Sequence, residues 1–311
     1  MSIKIEMNYI SILLSTYNGE KYLKKQLDSL LSQTYTNIKI IARDDGSSDD
    51  TLNILKSYDI ELVKSNNNLG VKKSFSVLLD YAFINTKSDY FMFCDQDDIW
   101  KNDKIEKTLR KMKELELTYS TLPLLVHTNL EVVDENLQII NKSFWNYESI
   151  NPKFNKFNNL LMQNTVTGCT VMLNRQLVLL ASPIPENIIM HDWWLGLVAS
   201  KFGKIGFLEE SLILYRQHLD NTIGAKGFNY YSVLKKFYMV FYKDRYYLNI
   251  IVQAKTFLNL YKDKLDDYTL HMLENYSTIE SKSFWKKRVI LLKYKLLKQG
   301  FLRNLHLLLK I

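Results

Sequence analysis

From residue 9 to about residue 110, short apolar runs alternate with amphipathic segments, and this grammar constrains the fold more than any other feature of the chain. "YISILLS" (9–15) has the length and composition of a buried strand. It is followed by "GEKYLKKQLDSLLSQT", in which Tyr22, Leu23, Leu27, Leu30 and Leu31 recur at helical spacing. "IKIIARDDGSSDDTLNILKSY" repeats the scheme as strand (38–42), polar turn and capped helix. "IELVKS" with "GVKKSFSVLLDYAFIN" gives it a third time, and "DYFMFCD" supplies a fourth strand. Strands alternating with helices of this length predict an α/β chain with a doubly wound, mostly parallel sheet. Ligands of such sheets bind at the carboxyl ends of the strands.

Between about 120 and 215 the pattern changes. "LPLLVHTNLEVVD", "TVTGCTVMLN" and "KIGFLEESLILYRQH" read as strands, with one clear helix, "HDWWLGLVASKFG", among them. The expectation is a mixed continuation of the same sheet. After Gly227 only helical segments rich in Tyr, Phe, Leu and Lys follow. The predicted organisation is therefore a domain over residues 1–225 and a helical extension over 226–311.

The first strand ends in "STYNGE", the second in "RDDGSSDD", the third in "SNNNLG" and the fourth in "DQDD". Loops on the opposite edge, "SQTYTN" and "NTKSD", do not crowd acids at strand ends in this way. In "YFMFCDQDDIWKND", Asp95, Asp97 and Asp98 stand at the mouth of an apolar strand. Neighbouring carboxylates repel, and each loses several kcal/mol of hydration on burial if unpaired. A hard divalent cation reverses that sign, and Mg²⁺ favours one or two carboxylates completed by phosphate oxygens and water. Helix capping by Asp98 or Asn102 is the competing explanation, and capping also explains Asp49 and Asp50.

Charge is unevenly distributed. Residues 1–225 carry 24 Lys/Arg against 27 Asp/Glu, and residues 226–311 carry 17 against 6, so a balance of −3 meets one of +11. Nucleic acid and an anionic membrane are the partners such a tail suggests. Acidic strand ends would repel a phosphate backbone, which argues against nucleic acid. "MSIKIEMNYI" lacks the basic-then-apolar order of a secretory leader, and no run of about eighteen apolar residues suggests a span. Cys94 and Cys169 lie in apolar runs without metal-ligand spacing, so a reduced cytoplasmic setting is expected.

"SILLSTYNGEKYLKKQLDSLLSQTY", "IARDDGSSDDT", "NLG" and "FCDQDDIW", in this order, resemble the nucleotide-sugar half of a family 2 glycosyltransferase of the GT-A fold. The resemblance covers roughly residues 9 to 220, and "HDWWLGLVASKFG" and "LYRQH" look like the rhamnosyltransferase-like branch that builds bacterial surface polysaccharides. It implies a donor half over about 9–110 and an acceptor half over about 120–225. It implies that Tyr17 lies against the nucleoside base with Ser15 and Thr16 nearby, and that Asp45 accepts from the base N3–H. Asp44 would face the strand end or the ribose. Asp97 would hold Mg²⁺ or Mn²⁺, with Asp95 on metal or ribose. Inverting transfer from a nucleoside-diphosphate sugar needs a base, and the resemblance assigns it to Asp192 in "MHDWW". Many relatives have Glu-Asp there, so His191 is a departure, expected to tune Asp192 or to meet acceptor. Trp193 and Trp194 are either core residues or a sugar platform, one pointing each way. Arg216 and His218 of "YRQH" would clamp the diphosphate from beside "LDNTIGAKG", expected to be mobile. The implied donor is dTDP-rhamnose and the implied acceptor a lipid-linked saccharide. A UDP-hexose donor, or a non-catalytic sugar-nucleotide binder, remain the alternatives.

The last thirty residues, "KSFWKKRVILLKYKLLKQGFLRNLHLLLKI", place Phe284, Trp285, Val289, Leu292, Leu296, Leu297 and Phe301 near one face of a single helix. Lysines and arginines occupy much of the rest. That pattern predicts an interfacial membrane helix, each basic residue contributing about 1 kcal/mol near an anionic leaflet. The competing expectation is a helix docked on the body or a dimer interface. The membrane alternative places the protein peripherally at the inner face of the cell membrane.

Overall fold

The computed structural model describes residues 8–64, 67–218 and 245–311. The first unit is β1 (Ile10–Thr16), α1 (Glu20–Leu31), β2 (Ile38–Asp44), α2 (Thr51–Lys56), β3 (Glu61–Leu62), α3 (Val71–Asn85) and β4 (Tyr90–Cys94). It continues with β5 (Ile99–Trp100), α4 (Lys104–Tyr119), β6 (Leu124–Val133) and β7 (Ile139–Asn141). Two short helices, α5 (Phe144–Tyr147) and α6 (Phe157–Met162), precede β8 (Met172–Asn174), α7 (Arg175–Ala181), α8 (His191–Phe202) and β9 (Lys204–Arg216). The described extension is α9 (Arg245–Tyr261), α10 (Asp267–Ser277), α11 (Phe284–Lys293) and α12 (Phe301–Lys310). The expected boundary at 225/226 and the segment "LDNTIGAKG" lie outside the described residues. Among the described residues no helix is long and apolar enough to cross a membrane.

The nine strands among the described residues form one mixed sheet in the order β3-β2-β1-β4-β8-β6-β9-β5, with β7 on β6. β1 lies between β2 and β4 and is parallel to both, so three carboxyl ends open on one edge. β8 runs antiparallel to β4 and β6, whereas β9 runs parallel to β6. Alternation in the strands sends side chains to two cores. Tyr90, Met92 and Cys94 of β4 pack with Leu23 and Leu27 of α1 and Leu109 of α4. Phe91 and Phe93 pack on the other face with Phe75 of α3 and Trp194 of α8. That second core continues into Phe257, Tyr276, Leu291 and Leu307, so the helical extension shares the core of the α/β unit.

Two local expectations are corrected. The run 165–174 is not one strand: a 3₁₀ turn at Gly168–Thr170 precedes a strand of only three residues. Ile99 and Trp100 pair with Leu214 and Ile213 of β9 instead of opening a helix. The helix starts at Lys104 with Asp103 at its N-cap position, so neither Asp98 nor Asn102 is the cap. The pairing of β5 with β9 ties down the far end of the Asp95–Asp98 loop, whose near end is the buried strand β4.

Candidate active site

The loop leaving β4 brings acids together. Ligand atoms of Asp95, Asp98 and Cys169 lie within 4.8 Å of one another. Burial, then the Asp97 and Asp192 carboxylates, push the Asp95 carboxyl up to about 7. Burial, then the Asp97 and Asp95 carboxylates, raise Asp98 well above the usual carboxylate range. Asp98 is fully buried and accepts the Arg216 backbone N–H at 3.2 Å. Behind it the Lys104 ammonium is also buried, 3.6 Å from the Trp100 ring centroid, and burial lowers it to about 7. Carboxylates are hard oxygen donors suited to Mg²⁺ or Mn²⁺, whereas the Cys169 thiol, raised by burial, is not. The acidic loop therefore fits such an ion, with Cys169 as its apolar floor.

Arg216 corrects an expectation. It is 1% exposed and its guanidinium is engaged inside the protein. Nε donates to the Asp97 carbonyl at 2.8 Å, Nη1 donates to the Glu135 carbonyl at 2.6 Å, and the group lies 4.5 Å from the Tyr22 ring centroid. Instead of reaching for a diphosphate, it fixes the backbone of the acidic loop. His218 lies beside the acidic loop: its Nε2 is 2.7 Å from Asp97 Oδ2, and its ring packs on Tyr22 at 4.9 Å.

At the β1 end, Tyr17 is 50% exposed and its ring is open to a flat partner. Its backbone is held by Gln96, whose Oε1 accepts the Tyr17 N–H at 2.8 Å and whose Nε2 donates to the Tyr17 carbonyl at 2.9 Å. Gln96, the unremarked middle of "DQD", thus joins the Tyr17 loop to the acidic loop. A Cβ on Gly19 would stand 2.3 Å from Gln96 Oε1, so a side chain there would push the Gln96 amide off Tyr17. The Thr16 hydroxyl donates to Asp44 at 2.9 Å, and Ser15 shares a 2.7 Å hydrogen bond with Ser74. Asp44 also accepts the Gly46 and Ser47 N–H groups, which places it at the strand end.

Asp45 departs from its expected role on the base edge. It is 4% exposed, pairs with Arg43, and accepts the N–H groups of Leu69 at 2.8 Å and Gly70 at 2.7 Å. Its carboxylate is spent on holding the "NLG" loop against β2. Asp49 accepts N–H groups at the start of both α1 and α2, a capping role, whereas Asp50 binds the Asn53 side chain.

Asp192 lies in the first turn of α8 and is 8% exposed. Asn164 Nδ2 donates to its Oδ2 at 3.1 Å, while Oδ1 has no hydrogen-bond partner among the described residues. Burial pushes its carboxyl up to about 6. Asp192 is among the charges that raise Asp95, and Gly168, which lies against Asp192, adjoins Cys169 of the acidic group. Gly168 lets the backbone approach: a Cβ there would come within 3.2 Å of His191 Nε2 and 3.6 Å of Asp192 Cβ. Gly168 lies inside, and Asn164 just before, the run 165–174 that reads as a strand.

His191 and Trp193 do not reach a ligand space. The His191 ring packs 4.6 Å from Phe75 and 4.8 Å from Phe93, and burial lowers it to about 3, so it stays neutral. Trp193 is buried with its indole N–H on the Leu160 carbonyl at 2.6 Å. Trp194 is buried too, donating to the Ala181 carbonyl at 3.3 Å. Both tryptophans are core residues, because α8 is covered nearly all round by the sheet and by α6, α7 and α9.

A family model described as "Glycosyl transferase family 2" matches residues 11–179. The chain belongs to glycosyl transferase family 2. This family 2 chain is 27% identical over 232 residues to the dTDP-rhamnosyl transferase RfbG of Shigella flexneri, covering 68% of this chain and 74% of that one. It is 28% identical over 240 residues to the putative teichuronic acid biosynthesis glycosyltransferase TuaG of Bacillus subtilis, covering 75% and 86%. It is 28% identical over 215 residues to an uncharacterised glycosyltransferase of Rickettsia typhi, of which it spans only 64% of the length. Among solved structures, S. aureus TarS 1–349 in complex with UDP-GlcNAc superposes with a TM-score of 0.57 at 16% identity, over 92% of this chain and 80% of that one. The mannosyltransferase PcManGT of Pyrobaculum calidifontis, in complex with GDP-Man and Mn²⁺, gives 0.53 at 12% identity, over 98% and 79%. At such identities these likenesses speak for the fold alone, which is GT-A.

Proposed function

We propose that this family 2 protein is an inverting, metal-dependent glycosyltransferase. In this reading it moves a sugar from a nucleoside-diphosphate donor to a hydroxyl of a lipid-linked saccharide, in bacterial surface polysaccharide assembly. The observation that carries the reading is the placement of Asp192 near the acidic loop. A buried carboxylate with a raised affinity for protons lies against Gly168, next to Cys169 of a group of buried acids that a cation would stabilise.

The nucleoside base stacks on Tyr17, with Ser15 and Thr16 beneath. Asp97 and Asp95 would hold the divalent cation, and His218 Nε2, 2.7 Å from Asp97 Oδ2, stands beside that site. Such a cation supplies positive charge to the leaving diphosphate. Asp192 takes the proton of the acceptor hydroxyl as that oxygen forms its bond to the anomeric carbon. The bond from that carbon to the diphosphate oxygen breaks on the opposite face, which inverts the configuration. Burial favours this use: a carboxylate stripped of water is a stronger base than one in solution. Arg216 and Gln96 keep the acidic loop and the Tyr17 loop in register.

The relative named dTDP-rhamnosyl transferase supports dTDP-rhamnose as donor. A lipid-linked acceptor supports peripheral association with the inner face of the membrane. The test is thermal shift against dTDP-rhamnose and a panel of UDP-hexoses, with and without Mn²⁺, followed by transfer assays with the donor that binds. Nucleotide release stimulated by acceptor is the expected result. Donor binding with no release under any acceptor would make the protein a sugar-nucleotide binder instead.

A further inference from the structure

The carboxyl-terminal helices are turned differently from the single amphipathic helix the sequence suggests. A break separates α11 from α12, marked by positive φ at Lys295 (52°) and Gly300 (84°). Ile290, Leu291, Tyr294, Leu296 and Leu307 face inward and belong to the common core. The outward faces are also apolar. Trp285, Val289 and Leu292 recur at i, i+4 and i+7 on α11, and Trp285 is 76% exposed. Phe301, Leu305 and Leu309 recur at i, i+4 and i+8 on α12, and Phe301 is 79% exposed. Arg288 joins the helices, stacking on Phe284 and donating to the Leu308 carbonyl. The apolar residues placed outside are thus a different set from those that dock the helices.

We propose that the outward stripes of α11 and α12 form a face that seats the protein on an anionic lipid bilayer. Charge selects the occupant. Lys286, Lys293 and Lys295 are exposed beside the stripes, and residues 282–311 contain nine Lys/Arg and no Asp or Glu. A second copy placed on this face about a twofold axis would set like charges against like. A bilayer with anionic headgroups instead offers opposite charge to the lysines and acyl chains to Trp285, Val289 and Phe301. Among the described residues it is the opposite face of these helices that docks them on the body of the protein. The proposal gives a purpose to the lipid-linked acceptor of the previous section and rests on it in that respect alone. Donor binding in free solution tests the transferase reading separately.

The experiment uses the full chain and sedimentation with phosphatidylcholine vesicles, with and without phosphatidylglycerol. Wild type should sediment with the anionic vesicles, more weakly as salt rises, and should ignore neutral ones. The triple variant Trp285→Ser, Val289→Ser, Leu292→Ser should lose affinity at least ~10-fold while its circular dichroism and donor-induced thermal shift remain, since it removes only exposed groups. The triple variant Lys286→Gln, Lys293→Gln, Lys295→Gln should lose the preference for anionic lipid. Wild type that stays in the supernatant, or a serine variant that binds as wild type does, would overturn the proposal. So would a dimer in light scattering that the serine variant abolishes without change in vesicle binding.

Discussion

Replacing Asp192 by Asn should slow the enzyme and stabilise the fold at once. A general base contributes about 10²–10⁴ in rate, which is roughly 2.7–5.5 kcal/mol of barrier. Asn keeps the shape of the side chain, and its carbonyl can still accept from Asn164, so donor affinity should stay near wild type. Stability runs the other way. Burial moves the Asp192 carboxyl from 3.8 to about 6, so folding at neutral pH carries a desolvated charge. At about 1.36 kcal/mol per pH unit the penalty is of order 1–3 kcal/mol. A carboxyl whose folded value is raised contributes stability that is fully present below its unfolded value and is lost as pH rises through about 6. At pH 7.5 the Asn variant should therefore melt higher than wild type, and the gap should close as pH falls to about 4.

The assay pairs initial rates at saturating donor with melting curves over that range. Wild-type activity should fall as pH drops through about 6, where the base becomes protonated. Asn164→Ala removes a hydrogen bond to the charged form and should move that limb to higher pH. A variant with wild-type rate and a lower melting point would mean that Asp192 only serves the start of α8. Loss of donor binding would mean that Asp192 belongs to the donor side.

Asp97→Asn should abolish the thermal shift given by nucleotide with Mn²⁺, worth roughly 2.7 kcal/mol in wild type at a hundredfold excess over Kd; an equal shift in both proteins would remove Asp97 from the metal. Gln96→Ala deletes two hydrogen bonds to the Tyr17 backbone, each contributing about 1 kcal/mol, so calorimetry should show donor affinity about 10-fold weaker with kcat little changed. Asp45→Asn breaks a buried pair with Arg43 and should destabilise the fold by about 3–5 kcal/mol, measured by urea denaturation; an unchanged midpoint with selective loss of uridine or thymidine donors would return Asp45 to the base edge.

The fold was legible because its strands are buried on both faces and its early helices carry a clear apolar stripe. The strand-end loops could be paired with chemistry for a related reason: parallel neighbours β2, β1 and β4 must deliver their loops to one edge. Orientation was harder to read. His191, Trp193 and Trp194 open a helix that is apolar nearly all round, and such a helix is core on every side. That signal is present in "WWLGLVAS", where paired tryptophans also suit sugar stacking. Arg216 gave no signal at all. Nothing local distinguishes an arginine at a strand end that meets ligand from one that meets two carbonyls more than eighty residues away. The Asn164–Gly168 turn was masked by β-branched neighbours that suggest a strand.

The crowding of acids after β4 is thereby explained by what surrounds it. Left to itself, a loop with three acids would swing into solvent and relax its repulsion. Here β5 is pinned to β9, Arg216 holds the Asp97 carbonyl and the Asp98 carboxylate receives the Arg216 N–H. Gln96 is pinned to Tyr17. The loop cannot relax by movement, so burial first, and repulsion among the acids second, raise proton affinity at Asp95 and Asp98. Local electrostatics that oppose folding, held in place by distant packing, mark a site whose ligand is part of its intended state. The sequence motif supplies the acids, and β5, β9 and the Tyr17 loop supply the rigidity that makes them a site.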